Sequence, residues 1–491
     1  MIVLTQTFEE LISGWSEHLP DFLPSLELKN CCFDSREVTV GSVLFVLPSV
    51  AGKEQSYIDM AISNGVSLIV SQDEKLNSQA VPHWVVDDVL ALAGFCLAKL
   101  RPANNLNVFG VTGTNGKSSV TFYVAQLLEM LGEPAAVMGT VGYGHWQRLK
   151  PTGMTTLPLE MLHESLHELS KTFKHVAMEV SSHGLDQNRL AGVSFKGAMF
   201  TNLTRDHLDY HKTMEAYGAA KARLLQWPEL ELAIVNVDDE FGVQLMDTAR
   251  AQRIISYGQS NEAEIRFDIS GMNADGMELG VFYGERQASF SLPLYGEFNA
   301  ANVVGAMAYC IGLGFEFQSV CTAAQRLQSV PGRMEVVKVV ENQPVVLVDY
   351  AHTPDALEQA CKAVRQHQQG EITVVVGCGG DRDQGKRPIM GKIAAQYADK
   401  VVFTSDNPRS ESPAVILEHI MAGVEQERVG ICSVIEDRAV AIEQAIVQST
   451  PQDVVLIAGK GHEDYQEVNG HKHYFSDVDS AKAVIGRELL S

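Results

Sequence analysis

The run Thr112-Gly113-Thr114-Asn115-Gly116-Lys117-Ser118 puts two glycines, a lysine and a hydroxyl into one short stretch. Such a turn can fold around phosphate. Its backbone N–H groups point at an anion, the lysine reaches the outer phosphates, and the hydroxyl can ligate a divalent cation. The strict phosphate-loop pattern wants a glycine five residues before Gly116, and Val111 stands there instead. Further along come Glu179 with Ser181, Ser182 and His183, the run Asp206-His207-Leu208-Asp209-Tyr210-His211, and Lys221. The last third carries Asp349-Tyr350-Ala351-His352, a Gly-rich charged stretch over 377–387, Asp406-Asn407-Pro408-Arg409 and Gly459-Lys460-Gly461-His462-Glu463. Each cluster alone is an ordinary loop, but their concentration points to a ligand site.

The elements that must position these groups follow from apolar periodicity. Residues 106–111 read as a strand, and 119–131 as a helix with Val120, Val124, Leu127, Leu128 and Leu131 on one face. Residues 175–180, 197–201 and 233–237 read as strands, each with polar residues at its end, and 214–225 as the helix carrying Lys221. Parallel α/β sheets bind ligands at the carboxyl ends of their strands, where these groups fall. Residues 264–294 alternate around Asn273-Ala274-Asp275-Gly276, which predicts an antiparallel hairpin. Gly296 opens the last helix of this segment, with Asn299 read as its N-cap. Beyond it, short apolar runs at 345–349, 372–376, 401–404, 432–435 and 454–458 alternate with helical patterns at 354–367, 388–397, 414–424 and 439–449. That alternation predicts a doubly wound sheet with all four polar clusters at one end. Before the phosphate-binding run, strands at 43–47 and 66–70 and a helix at 57–64 suggest a small α/β unit over about 1–88, followed by a connecting helix over 89–102. Phe33-Asp34-Ser35-Arg36 is a polar turn within it.

The chain has 491 residues, which is too long for one core, so segments 1–88, 89–332 and 333–491 are expected as domains. With 38 Lys and Arg against 61 Asp and Glu, the net charge is −23. This argues against a nucleic-acid surface or nonspecific membrane attraction, and an acidic chain must bind anions with local clusters and backbone amides. No stretch is apolar enough to span a bilayer, and the first ten residues do not resemble a signal peptide. The eight cysteines are scattered, without a CxxC spacing that would suggest zinc, and read as reduced thiols of a cytoplasmic protein.

In order along nearly the whole length, these motifs resemble those of the Mur ligases of bacterial cell-wall synthesis. The resemblance is carried by the phosphate-binding run, with Val111 included, Met178-Glu179-Val180-Ser181-Ser182-His183-Gly184-Leu185 and Asp206-His207-Leu208-Asp209-Tyr210-His211. Ala219-Ala220-Lys221, Asn299-Ala300-Ala301-Asn302, Pro331-Gly332-Arg333-Met334-Glu335, Asp349-Tyr350-Ala351-His352-Thr353-Pro354 and Asp406-Asn407-Pro408-Arg409 continue it. It is nearest to the branch that adds the third residue of the peptidoglycan stem peptide.

The resemblance implies an α/β, three-domain Mur ligase architecture with a P-loop-type central parallel sheet and a Rossmann-like C-terminal domain. It implies a monomeric cytoplasmic enzyme that uses ATP and Mg²⁺ to join meso-diaminopimelate to UDP-N-acetylmuramoyl-L-alanyl-D-glutamate. ATP would be bound by Gly113, Thr114, Asn115, Gly116, Lys117, Ser118, Ser119, Asn302, Arg333 and Asp349, and Lys117, His207 and Lys221 would be catalytic. Ser118, Glu179, His207 and a carbamylated Lys221 would hold metal; carbamylation turns a cation into the anionic oxygen ligand that Mg²⁺ prefers. Phe33, Ser35, Thr155, Thr156, Ser181, Gln187 and Arg189 would bind the UDP-sugar dipeptide. Arg382, Asp406, Asn407, Pro408, Arg409, Gly459 and Glu463 would bind diaminopimelate, with Arg409 as selector, because lysine-adding relatives carry a different residue there. An arginine left unpaired by lysine would cost about 3–5 kcal/mol. That corresponds to a discrimination of roughly 10²–10³. The chain departs from the family at Ser49-Val50-Ala51-Gly52-Lys53, which lacks the Gly-His-Gln type of sequence on the uracil side.

Overall fold

The computed structural model describes residues 1–15, 19–48, 52–78, 81–337 and 343–488. Ser49, Val50 and Ala51 of the uracil-side departure lie outside them. Contacts divide the chain into two compact units: residues 1–114, 133–233 and 244–254, and residues 115–132, 234–243 and 255–491.

The first unit opens on a five-stranded sheet in the order Ile2–Val3, Asn30–Cys32, Ser42–Phe45, Leu68–Ser71, His83–Val85. All its pairs are parallel except the first. Alternate side chains feed two cores, as the two faces of a buried strand require. Val43, Phe45, Leu68 and Val70 pack with Leu92 and Cys96 of the helix Val89–Leu100. Leu44 and Ile69 pack with Ile58 and Ala61 of the helix Glu54–Ser63.

In the same unit Phe195–Phe200, Asn107–Thr112, His175–Glu179 and Ala135–Met138 lie side by side and parallel in that order. Their carboxyl ends therefore share one edge, which brings Thr112, Glu179 and Thr201 together. Val111 is a fully buried strand residue paired with Glu179 and Met199, so no glycine is needed there. The need begins at Gly113, at φ 150°, where a Cβ would stand 1.9 Å from Thr201 Oγ1.

In the second unit the helix Lys117–Met130 packs on the helix Glu297–Gly312. Tyr123 O–H donates to Asn299 Oδ1 at 2.9 Å, and Asn299 Nδ2 donates to Tyr295 O at 2.8 Å. Asn299 is thus a buried clamp one turn inside the helix. The N-cap is instead Gly296, whose φ of 86° a side chain would strain. The helix is also not the last of its segment, for Phe317–Ala324 follows. The expected hairpin forms in the register Ile265↔Tyr283, Phe267↔Val281, Ile269↔Leu279, and a third strand, Arg286–Leu292, joins it.

The remaining residues form a six-stranded sheet in the order Glu335–Val336, Val345–Asp349, Val454–Ala458, Ile372–Val376, Lys400–Phe403, Cys432–Val434. The first pair is antiparallel and the others are parallel. Leu347, Val374, Phe403 and Leu456 face the helices Pro354–His367, Lys386–Tyr397 and Pro413–Met421; Val348, Val375, Val402 and Ile457 face Arg438–Val447 and Asp477–Glu488. The four polar clusters follow four of the parallel strands and lie at one end, as the alternation predicts. The hairpin Tyr465–Val468 and His471–Tyr474 carries no apolar alternation, and its second strand is exposed at every residue, so pairing alone defines it.

Candidate active site

Four constellations collect the candidate residues. The first lies in the first unit at the carboxyl edge of the parallel strands. Lys221, on the helix Met214–Leu225, is 1% exposed and donates from Nζ to Gly113 O at 2.7 Å. Its ammonium stands 4.5 Å from the Tyr217 ring centroid, and Tyr217 O–H lies 3.2 Å from Thr114 Oγ1. Glu179, 2% exposed, accepts from Thr140 N–H at 2.9 Å. His207, at φ 52°, presents its ring edge-on to His183 with centroids 4.9 Å apart. Among the described residues no three His, Cys, Asp or Glu side chains stand close enough to hold a metal by themselves.

A second network continues from Glu179. Thr156 Oγ1 donates to Glu179 O and accepts from Ser181 N–H, while Thr155 and Thr140 hydroxyls meet at 2.9 Å. Arg189 donates from Nε to Gln187 Oε1 at 2.9 Å and from Nη1 to Thr156 O at 3.0 Å. Among the described residues no carboxylate pairs with this guanidinium. In the N-terminal sheet a cavity of about 530 Å³ is lined by Phe33, Ser35, Arg36, Phe45, Tyr57 and Met60. Phe33 stacks on Phe45 at 5.1 Å, and the Arg36 guanidinium holds the Asp34 carboxyl down at about 2.

In the second unit Gly116, at φ 85°, turns the chain into the helix that begins at Lys117. The N-cap Gly116 brings no side chain of its own to this N-terminus, and a helix N-terminus with a lysine beside it suits an anion. A Cβ on Gly116 would stand 2.4 Å from Asn302 Oδ1, which keeps Asn302 against the turn. Asp349 accepts from Met334 N–H and Ala351 N–H at 2.7 and 2.8 Å. Desolvation pushes this carboxyl up, opposed by Arg333. The Arg333 guanidinium lies over the Tyr350 ring at 4.7 Å, with His462 on the same ring at 5.4 Å.

The fourth constellation joins two strand-end turns of the last sheet. Asn407 Nδ2 donates to Glu463 Oε2 at 2.9 Å, and a Cβ on Gly459 would stand 2.8 Å from Asp406 Oδ2. Arg409, at φ 51°, donates from Nη1 to Gly380 O at 2.7 Å and lies 3.4 Å from Glu467 Oε2. Its backbone bonds to the hairpin on both sides, from Arg409 N–H to Glu467 O and from Asn469 N–H to Arg409 O. The turn is therefore held by the hairpin. Arg382 is exposed on the loop after Ile372–Val376, outside this network.

Residues 111–310 match the Mur ligase middle domain, and residues 332–461 match the Mur ligase glutamate ligase domain. A Neisseria meningitidis serogroup A protein named UDP-N-acetylmuramoyl-L-alanyl-D-glutamate--2,6-diaminopimelate ligase is 42% identical, over 93% of this chain and 94% of its own. A Haemophilus influenzae protein of the same name is 39% identical over 94% and 97%. The chain belongs to the Mur ligase family. A solved structure of a ligase of that name superposes with a TM-score of 0.76 at 34% identity, covering 99% of this chain and 100% of its own. A folylpolyglutamate synthase from Mycobacterium tuberculosis shares the fold at 18% identity and a TM-score of 0.59. The architecture is therefore the α/β, three-domain one of the Mur ligases, with a Rossmann-like sheet at the C-terminus.

Sequence motifs missed several groups that hold these constellations together. Thr140 and Tyr217 lie next to glycines or in a plain helix, with no pattern around them. Tyr350 and His462 belong to the polar clusters after two strands, but only the fold stacks them with Arg333. Burial, with the Arg333 charge adding to it, pushes the His462 imidazole down to about 4 from an ordinary 6.5. Between those values the unfolded chain binds the proton and the folded chain does not, so stability falls as pH drops from 6.5 towards 4. Thermal melts across that range are expected to show a shallower loss for His462→Gln than for wild type; parallel curves would remove His462 from the acid response.

Proposed function

We propose that this chain is an ATP-dependent amide-forming ligase that adds meso-diaminopimelate to UDP-N-acetylmuramoyl-L-alanyl-D-glutamate during peptidoglycan precursor synthesis. The reading is carried by one observation: the Asp406-Asn407-Pro408-Arg409 turn meets Glu463 at the carboxyl edge of the last sheet. It is supported by relatives of this enzyme name that match nearly the full chain.

A carboxylate is a poor electrophile because its leaving group is oxide. The glutamyl carboxylate oxygen attacks the γ-phosphorus and ADP leaves, which gives an acyl phosphate. The amine of diaminopimelate then attacks the acyl carbon, loses its proton, and expels phosphate through a tetrahedral intermediate. The task of the protein is alignment and charge neutralisation. In this reading residues 1–88 bind the UDP end, 89–332 bind ATP and 333–491 bind the amino acid. Gly113, Thr114, Asn115, Gly116, Lys117, Ser118 and Ser119 cradle the phosphates, with Lys117 at the outer ones. Asn302, Arg333 and Asp349 hold the nucleoside side. Phe33 and Ser35 line the cavity for the UDP end, while Thr155, Thr156, Ser181, Gln187 and Arg189 take the sugar-linked dipeptide.

Ser118, Glu179, His207 and a carbamylated Lys221 offer a mostly oxygen donor set, which fits Mg²⁺. When bound, the metal would supply charge neutralisation at the phosphates. Asp406, Asn407 and Glu463 receive the far amine, Arg409 and Arg382 the far carboxylate, and Pro408 and Gly459 shape the turns.

The test is ADP release measured with each substrate omitted in turn. Release is expected only when diaminopimelate and the UDP-linked acceptor are both present. Equal release without the acceptor would replace the ligase reading with a simple nucleotide hydrolase or switch.

A further inference from the structure

Lys460 lies between Gly459 and Gly461, and none of the roles above uses it. Its side chain is wholly buried, at 0% exposure. The ammonium donates to Asn407 Oδ1 at 3.3 Å and to Glu463 Oε2 at 3.4 Å. Glu467 N–H donates to the same Oδ1 at 2.9 Å, and Asn407 Nδ2 donates to the same Oε2 at 2.9 Å.

These donors and acceptors fix the chemistry of the pair. An ammonium and a backbone N–H can only donate, so the Asn407 atom facing them is oxygen. A carboxylate can only accept, so the atom facing Glu463 is nitrogen. Lys460 binds both side chains, and it neutralises the Glu463 carboxylate in a partly dry turn. Glu463 Oε2 already takes two donors. Glu463 Oε1 makes no hydrogen bond among the described residues, and the side chain is 21% exposed. A second ammonium approaching Glu463 is repelled from the Lys460 side and meets Oε1.

We propose that Lys460 is a positioning residue of the amino-acid site, which orients the Asn407 amide and presents Glu463 Oε1 to the far amine of the diamino acid. This rests on the amino-acid-site reading given above.

Steady-state ligation by the full chain tests it, with Lys460→Met, Lys460→Gln, Asn407→Ala and the double variants. Lys460→Met is expected to raise KM for diaminopimelate roughly tenfold or more, the effect of one hydrogen bond to a charged group. KM for ATP and for the UDP-linked acceptor, and kcat at saturating amino acid, should stay within about threefold. Adding Asn407→Ala to Lys460→Met should raise KM by much less than Asn407→Ala does alone, because the two act as one unit. Lys460→Gln keeps a donor and should recover part of the loss. If Lys460→Met melts near room temperature, the Lys460→Gln and Asn407→Ala cycle makes the same comparison. A KM for diaminopimelate within about twofold of wild type, or effects that simply multiply, would show that Lys460 only supports the turn. If Asn407→Ala and Glu463→Gln themselves leave that KM unchanged, the site assignment fails and the proposal falls with it.

Discussion

Lys221→Ala is expected to lower the ligation rate by about 10²–10³, the usual cost of removing one preorganised group that stabilises transition-state charge. A short carboxylic acid such as acetate, added at high concentration, is expected to restore part of the rate. Two effects are combined in the loss. As a lysine, the side chain is buried and donates to Gly113 O at 2.7 Å, so its removal loosens the first glycine of the phosphate-binding run. As a carbamate, formed when the neutral amine adds to carbon dioxide and releases a proton, it would supply an anionic oxygen beside Glu179 in the proposed metal site. Rescue by acetate reports on the second effect alone, since a free acid cannot replace the hydrogen bond to Gly113. Lys221→Arg separates them from the other direction: it keeps a donor and a positive charge but cannot carry a carbamate, so it should recover at most the share of the loss that belongs to the hydrogen bond and stay well below the wild-type rate. Wild-type rates for either variant without additive would remove the carbamate from the mechanism.

Arg409→Ala is expected to erase most of the preference for meso-diaminopimelate over L-lysine. The two amino acids differ by one carboxylate on the far carbon, and a guanidinium can take it with two parallel hydrogen bonds. An arginine stranded without a partner would make the preference roughly 10²–10³. The fold lowers that figure. Arg409 already donates to Gly380 O, lies 3.4 Å from Glu467 Oε2, and its side chain keeps 21% of its exposure. Lysine therefore forfeits a hydrogen bond to a charged group, about 1.5–3 kcal/mol. At about 1.4 kcal/mol per factor of ten, the wild-type preference becomes roughly 10–10². Parallel kcat/KM measurements with both amino acids on wild type and Arg409→Ala decide the matter. An unchanged ratio in the variant would clear Arg409 of selection, and a wild type that favours lysine would overturn the substrate assignment.

Much of the scaffold was legible because its signals are local. The valine- and isoleucine-rich runs at Val345–Asp349, Ile372–Val376 and Val454–Ala458 are strands buried on both faces, and few other structures suit such runs. The helix Pro354–His367 starts where Thr353 can cap it and Pro354 fits the first turn. Polar residues at strand ends could be placed at one edge because parallel strands joined by helices all point the same way. The phosphate-binding run declared itself through Gly113 and Gly116, whose positive φ angles other residues resist.

Tertiary structure decided what depends on partners distant in sequence. Asn299 reads as a cap from its neighbours, yet Tyr123, 176 residues away, makes it a buried clamp. The hairpin Tyr465–Val468 and His471–Tyr474 has no apolar period to betray it, because its strands cover no core. That hairpin nevertheless grips the backbone of Arg409 and supplies Glu467, so the strength of the proposed selector is set 58 residues beyond the motif that names it. Lys460 is one of many lysines in the sequence. Only the meeting of two turns, Asp406–Arg409 with Gly459–Glu463, removes it from water and leaves Asn407 and Glu463 as its partners, since the desolvation of an ammonium has to be offset by acceptors that the chain brings from elsewhere.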